Sequence, residues 1–344
     1  MTDVLQFPGA LNCAFDHLVG YGVLAIAESS GYRPRLRWTD SLNSTLEISG
    51  LDWSTLADLV HRHALDHSTD SWLQAEGSAG RKKEPETKAL FSPRVPRMDD
   101  PRRQEWSSLR ERHIDELRPD WQESDASMIG ALGEPSYWSR NRQNELQPDH
   151  GASPWEMKTR NAGEEFVGHR LRKLATTVAA RTVAEVESGL RGVGPIKDEA
   201  GNNSLGSRTP TGLKPPQATD NARAWCALFG LSLLGVTPQQ HQRSQASGYL
   251  WLDNRERFYL PVSLAWSGAP RLRTILRSQQ LRLVAQNHLP NSTVDHAKAA
   301  VASRWLSDRG VSCVVEFPVH RSSNVNAPER WAGTGQRIHL DGSS

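Results

Sequence analysis

Cysteine is scarce in this chain, and the three that occur, Cys13, Cys226 and Cys313, stand far apart without paired spacing. That argues against a disulfide framework and a cysteine-built zinc cluster, and it fits a reducing cytosol. Charge of one sign is lacking too. A net charge of +2 over 344 residues leaves no overall basic field, so any binding of nucleic acid has to rest on local patches. Lysine is rare, 8 of the 41 cations. The arginines that dominate suit bidentate phosphate contacts, although a GC-rich genome alone also favours arginine. Long apolar runs are missing: neither Leu18 to Ala27 nor Ala224 to Leu234 reaches the roughly 18 residues a membrane span needs. The chain opens Met1-Thr2-Asp3 without a basic region, so a cytoplasmic protein with no membrane partner is expected. Gly-x-x-x-x-Gly-Lys-Ser/Thr, His-Glu-x-x-His and Gly-x-Ser-x-Gly are all absent. A catalytic set assembled from distant residues would leave no such trace.

The length has room for about two domains of ordinary size. The pattern predicts an α+β chain in four parts: an N-terminal helix–hairpin–helix module over 1–76, a charged Pro-rich linker or insertion over 77–135, a mixed α/β domain over 136–320, and a tail over 321–344. In the first, Ala10 to Ser29 reads as a helix rich in small residues, with Gly20 and Gly22 permitting close backbone approach. Strands at Arg35 to Trp38 and Thr45 to Ile48 form a hairpin, and a helix from Trp53 covers it with Leu56, Leu59, Val60 and Ala64. From Gly77 to Asp125 prolines interrupt dense charge and apolar residues are sparse. Arg94, Arg97, Arg102 and Arg103 there could act as a flexible arm on nucleic acid, against a solvated surface as the plainer reading.

The centre of the chain is two helical segments joined by a long polar loop. Glu164 to Val186 places Val167, Leu171, Leu174 and Val178 at helical spacing, with Asn161 and Glu164 as its cap. Residues 192–219 then carry five Gly and four Pro among hydroxyls, amides and cations. This composition predicts a mobile basic loop whose natural partner is an anion such as a phosphate backbone, or else an unstructured insertion. Thr219 or Asp220 restarts a helix that is apolar almost all round and therefore buried. Lys158, Arg160, Arg170, Lys173, Arg208, Lys214 and Arg223 are the cations expected to converge on one RNA- or DNA-binding groove. A second cluster, Arg271, Arg273, Arg277 and Arg282, is locally unbalanced by acids and is expected to line the same groove.

Three further patterns carry chemistry. Tyr137-Trp138-Ser139-Arg140 and Trp155-Glu156-Met157-Lys158 interleave aromatics with cations, as single-strand binding by stacking requires; a Trp anchoring irregular chain to the core is the alternative. Asp149, Glu156 and Lys158 have the letters of a metal-dependent nuclease motif, but the residues between leave no room for the adjacent strands that would display them. His61, His63 and His67 end a helix, where they suit its dipole; His63-Ala64-Leu65-Asp66-His67 imitates an inverted zinc-protease pattern with Asp in place of Glu. No cofactor is implied. Towards the C-terminus, Tyr249 to Leu252, Phe258 to Trp266 and Val311 to Phe317 read as strands, with Pro261 implying an edge or bulge. Val294, Ala297, Val301 and Trp305 form a helical stripe between them.

Phe7-Pro8-Gly9, Cys13, Leu18-Val19-Gly20-Tyr21-Gly22-Val23-Leu24, Arg35-Leu36-Arg37-Trp38 and Leu46-Glu47-Ile48 resemble the start of CRISPR-associated accessory proteins of type I-G (formerly I-U) systems. Asp198-Glu199, Ser207-Arg208-Thr209, Gly212-Leu213-Lys214-Pro215-Pro216 and Asp220-Asn221-Ala222-Arg223-Ala224-Trp225 are similar to such proteins as well. None of these is a catalytic signature, and the charged 77–125 stretch departs from the pattern. The resemblance implies a non-catalytic part of an antiviral RNA-guided effector that binds nucleic acid or neighbouring effector subunits. A metal-dependent nuclease and a protein-interaction scaffold are the alternatives.

Overall fold

The structure is a computed structural model that describes residues 4–40, 43–79, 86–94, 98–117, 122–136, 139–145, 147–157, 166–237, 245–289, 292–324 and 328–340. It is α+β, with helices packed among small antiparallel sheets. The first sheet holds β1 (Val4–Phe7), β2 (Arg35–Trp38) and β3 (Leu46–Ser49) in the order β1-β3-β2. The expected hairpin therefore gains a third strand, one too short to show a period. Phe7 and Trp38 both sit opposite Leu46, and all three are buried.

Between β1 and β2 runs α1 (Ala14–Ser29), buried at every position from Ala14 to Ala27. A helix with no solvent face must be small where other backbones approach it, and α1 is. A Cβ on Gly22 would lie 1.7 Å from the carbonyl oxygen of Cys226. The reciprocal notch is Gly230, where a Cβ would lie 2.3 Å from the Leu18 carbonyl oxygen. Leu18 and Gly22 on one element thus meet Cys226 and Gly230 on the other, each pair one helical turn apart. Next, α2 (Trp53–Ser68) is capped by Asp52, which accepts from the Thr55 N–H at 2.8 Å. Its buried face is the expected Leu56, Leu59, Val60 and Ala64, extended by His63 and His67.

The stretch read as a charged linker contains β4 (Glu76–Ala79) paired with β5 (Glu86–Ala89), then α3 (Asp100–Asp115) and α4 (Gln122–Leu132). It delivers Leu90, Phe91, Met98, Trp106, Met128 and Leu132 to the core. Its few apolar residues are large and irregularly spaced. On α3 only Trp106 and Arg110 are buried, so no stripe forms for a periodicity argument to find.

The single helix expected from Glu164 to Val186 is two. A π-helical turn (Val167–Leu171) leads into α5 (Arg172–Ala179), and α6 (Val183–Arg191) starts afresh at a capping box in which Thr182 and Glu185 satisfy each other's backbone N–H. The expected stripe of Val167, Leu171, Leu174 and Val178 is buried. The proposed Asn161 and Glu164 cap lies outside the described residues. As expected, the next helix, α7 (Asn221–Phe229), opens at an Asp220 cap and is apolar and buried, continuing into a 3-10 turn at Gly230–Leu233.

The C-terminal part places β6 (Val236–Thr237) against β7 (Gln245–Ala246), followed by β8 (Tyr249–Leu252) and β9 (Arg255–Ser263). Three helices come next, α8 (Ala269–Leu276), α9 (Gln279–Asn287) and α10 (His296–Ser307). Finally β10 (Val311–Arg321), β11 (Arg330–Ala332) and β12 (Gln336–His339) join β8 and β9 in one antiparallel sheet. Pairing of β8 with β9 ends at Phe258, so Pro261 falls where β9 has only β10 beside it, as its missing N–H requires. The described residues from 328 to 340 are not a loose tail. Ile338 pairs with Val314, and the Gly335 N–H reaches the Asn12 carbonyl at 2.8 Å. On α10 the buried residues are Ala299, Ala302 and Leu306, while Val301 of the expected stripe is 70% exposed. Alanines carried that face, and they give little hydropathy contrast.

One hydrophobic cluster runs through all these parts, from Leu5 to Leu340. The two main sheets are also joined directly, since Leu36 and Ser267 exchange backbone hydrogen bonds of 2.9 Å. Among the described residues no helix is long and apolar enough to cross a membrane. Gly22→Ala is expected to lower stability by about 1–3 kcal/mol or more, because backbone atoms of α7 cannot retreat as a side chain can. Gly130→Ala on α4, with nothing within 4 Å of the added carbon, is the comparator and should be neutral or slightly stabilising. Thermal unfolding of the two variants checks the difference.

Candidate nucleic-acid interface

The central loop folds around a carboxylate. Asp198 is fully buried and accepts from the Gly201 N–H (3.0 Å), the Thr209 hydroxyl (2.7 Å), the Thr219 N–H (3.0 Å) and the Asn221 amide (2.9 Å). Arg181, in the break between α5 and α6, ties both ends of the loop together. It donates to Asp220 at 3.0 Å, and to Glu199 and the Lys197 carbonyl at 2.6 Å each. Asn202, Asn203 and Thr211 take positive φ here, which asparagine tolerates well. The loop read as mobile is therefore organised by buried polar bonds rather than by an apolar face.

Its cations are engaged by the chain as well, although Arg208 stays exposed. Lys173 donates to the Ala200 carbonyl at 2.6 Å and so pins the loop to α5. Arg208 pairs with Glu329 next to β11. Lys214 stands 4.3 Å from the centre of the Phe15 ring, and burial holds its ammonium below the ordinary lysine range. Arg223 bonds Asp16 and the Pro8 carbonyl at 2.6 Å each. Arg170 donates to the neighbouring His169 carbonyl at 3.1 Å. Lys158 and Arg160 lie outside the described residues.

The second cluster does not share a groove with these residues. Arg273 pairs with Glu28 near the C-terminal end of α1 (2.7 Å), whereas Arg223 pairs with Asp16 near its start. Twelve residues of helix, about 18 Å, separate the two positions. Arg271 and Arg277 are exposed and make no ion pair with a described residue. Arg277 and Arg282 line a polar groove with the amides of Gln245, Gln279 and Gln286, and no Asp or Glu among the described residues contributes to its wall. Gln245 accepts from Arg282 at 2.6 Å and orients it. The N-terminus of α9, capped by Ser278, opens on the same groove and adds backbone donors. On the opposite flank of α9 a second cleft holds His288, His296, Arg304, Arg337 and His339, again without a carboxylate among the described residues. These last residues come from two helices and a strand, and no local signal in the sequence groups them. In a chain with nearly balanced charge, two acid-free walls around one helix are the local patches that anion binding needs.

The other readings fall out of the same geometry. Trp155 stacks on Phe258 at 3.9 Å and donates from Nε1 to the Ser247 carbonyl, so it anchors irregular chain to the core. Tyr137 and Trp138 lie outside the described residues. Glu156 is fully buried and paired with Arg94, which also bonds the Glu156 carbonyl at 2.9 Å. Asp149 sits on a 3-10 turn (Pro148–Gly151), and its side chain, like Lys158, is outside the described residues. In the proposed arm, Arg94 is thus engaged, Arg103 pairs with Asp100 at 2.8 Å, and Arg97 is outside the described residues. The chain matches no protein-family model and no curated protein.

Asp198→Ala would leave the buried Thr209 hydroxyl and Thr219 N–H without an acceptor and weaken the hold on the Asn221 amide, while the Gly201 N–H keeps the residue's backbone carbonyl; it should destabilise the protein by about 3–5 kcal/mol. Denaturant unfolding measures this. A loss below about 1 kcal/mol would mean that the loop does not depend on its buried carboxylate.

Proposed function

We propose that this chain is a non-catalytic, cytoplasmic component of an RNA-guided CRISPR effector, and that it binds a nucleic-acid backbone along α9. The observation that carries the binding reading is the pair of acid-free walls flanking that helix, with Arg277, Arg282 and a helix N-terminus on one side. The effector context rests on the resemblance of two segments distant in sequence. In their favour, these segments touch: Arg223 bonds Pro8 and Asp16, and Lys214 covers Phe15. A shared pattern in both would serve one structural knot, leaving the recognition surface to another part of the chain.

Binding without cleavage agrees with the state of Glu156, whose carboxylate is held by Arg94 away from solvent. Phosphate neutralisation by arginine makes affinity fall with salt, by about 0.7 logarithmic units per contact per decade for a single strand. Single-stranded RNA and DNA affinity should be measured across a salt series for the parent, for the Arg277→Ala, Arg282→Ala double variant and for Arg223→Ala. The double variant is expected to bind more weakly with a slope flatter by about 1.4. Arg223→Ala is expected to lose stability while keeping the parent's slope. Unchanged binding by the folded double variant would remove α9 from the interface. Magnesium-dependent cutting abolished by Glu156→Ala would replace the reading with a nuclease.

A further inference from the structure

The α2 helix carries His63 and His67 one turn apart, and α4 brings Asp125 against them from 58 positions along the chain. All three are buried, at 8%, 3% and 1% exposure. Their protons do not balance. The His67 Nδ1 lies 2.7 Å from the His63 carbonyl oxygen, an acceptor, so Nδ1 holds the ring's proton. Neutral His67 then turns a lone pair on Nε2 towards Asp125 Oδ1 at 3.0 Å, and that oxygen is an acceptor too. The other carboxylate oxygen, Oδ2, and the His63 Nδ1 are buried without any hydrogen-bond partner. One extra proton would satisfy the His67–Asp125 contact alone, leaving the Asp125 Oδ2 and the His63 Nδ1 buried without a partner and subject to the full desolvation penalty.

A divalent cation satisfies the whole set. We propose that His63, His67 and Asp125 form a binding site for a transition-metal ion of the zinc type, clasping α2 to α4. One ligand atom from each residue lies within 4.8 Å of the other two. Ligands of one tetrahedral ion at ~2.1 Å stand ~3.4 Å apart, so binding draws the set together by up to about 1.4 Å. The bond from His67 Nδ1 to a backbone carbonyl is the arrangement that fixes a ligating tautomer and presents Nε2 to a metal. Behind His63 pack Trp225 and Phe229, with ring centres at 5.5 and 4.4 Å, which keep water off that side. In front a cleft lined by Ser29, Arg62, Asp66 and Ser124 leaves a fourth position for water or a further ligand. Two imidazoles and one carboxylate with an open position suit zinc and its neighbours in the first transition row rather than magnesium or calcium. The site is independent of the nucleic-acid reading.

Full-length protein stripped with a chelator should be titrated with Zn2+ by calorimetry and with Co2+ by visible absorption, with circular dichroism as a check of fold. One Zn2+ per chain, a raised thermal midpoint and the visible bands of cobalt bound by nitrogen and oxygen are expected. Asp125→Asn keeps the size of the side chain and His63→Gln keeps a polar one; each should weaken Zn2+ binding at least about tenfold. Because they lie on different helices, the failure of one to fold leaves the other. The Co2+ spectrum of the parent decides without either. Parent protein that is folded yet takes up neither ion, or variants that bind as the parent does, would overturn the proposal and leave a buried His67–Asp125 ion pair.

Discussion

The backbone of α1 meets that of α7 at a distance that only glycine permits, and most of the molecule is arranged around that crossing. Because Gly22 and Gly230 let the two chains approach, α1 can be buried along its length, from Ala14 to Ala27. Leu36 and Leu46 of the first sheet close over Gly20 on another side. A helix in such a position has no solvent face to spare, so the partners of its charged and ring groups come from within. Asp16 is answered by Arg223 and by the Ala10 N–H, and the ring of His17 by the Leu11 carbonyl.

That demand explains what became of the central loop. A stretch rich in Gly, Pro, Ser, Thr and Asn has no apolar face, but it has donors, and Asp198 collects them. Cations that composition would assign to a phosphate backbone instead hold the loop to its neighbours. The same chemistry serves both purposes, and a sequence does not distinguish an inward guanidinium from an outward one. Where no carboxylate stands opposite, as along α9, the cations stay available to a ligand.

Much of the framework was legible residue by residue. The period of α2, the buried character of α7, the Asp220 cap and the meaning of Pro261 followed from local patterns that tertiary packing did not override. Other parts were hidden for physical reasons. Strands such as β1 and β12 are only four residues long, the 77–135 stretch packs through isolated large residues such as Phe91 and Trp106, and the buried face of α10 is carried largely by alanine. Of the candidate interface, Arg277 and Arg282 were visible as part of a cluster unopposed by acids. Arg304, Arg337 and the histidines beside them were not, since only the fold brings α9, α10 and β12 together. Asp125 was invisible as a partner of His63 and His67 for the same reason.

Binding along α9 is the central claim, and its location can be read without any substitution. A single strand carrying photo-activatable bases should be bound at low salt, cross-linked and digested with the protein, and the adducted peptides mapped. Adducts within residues 277–288, accompanied by adducts near residues 296–304 or 337–339, are the predicted result. Adducts confined to residues 192–223, or none at protein concentrations that saturate binding, would contradict it.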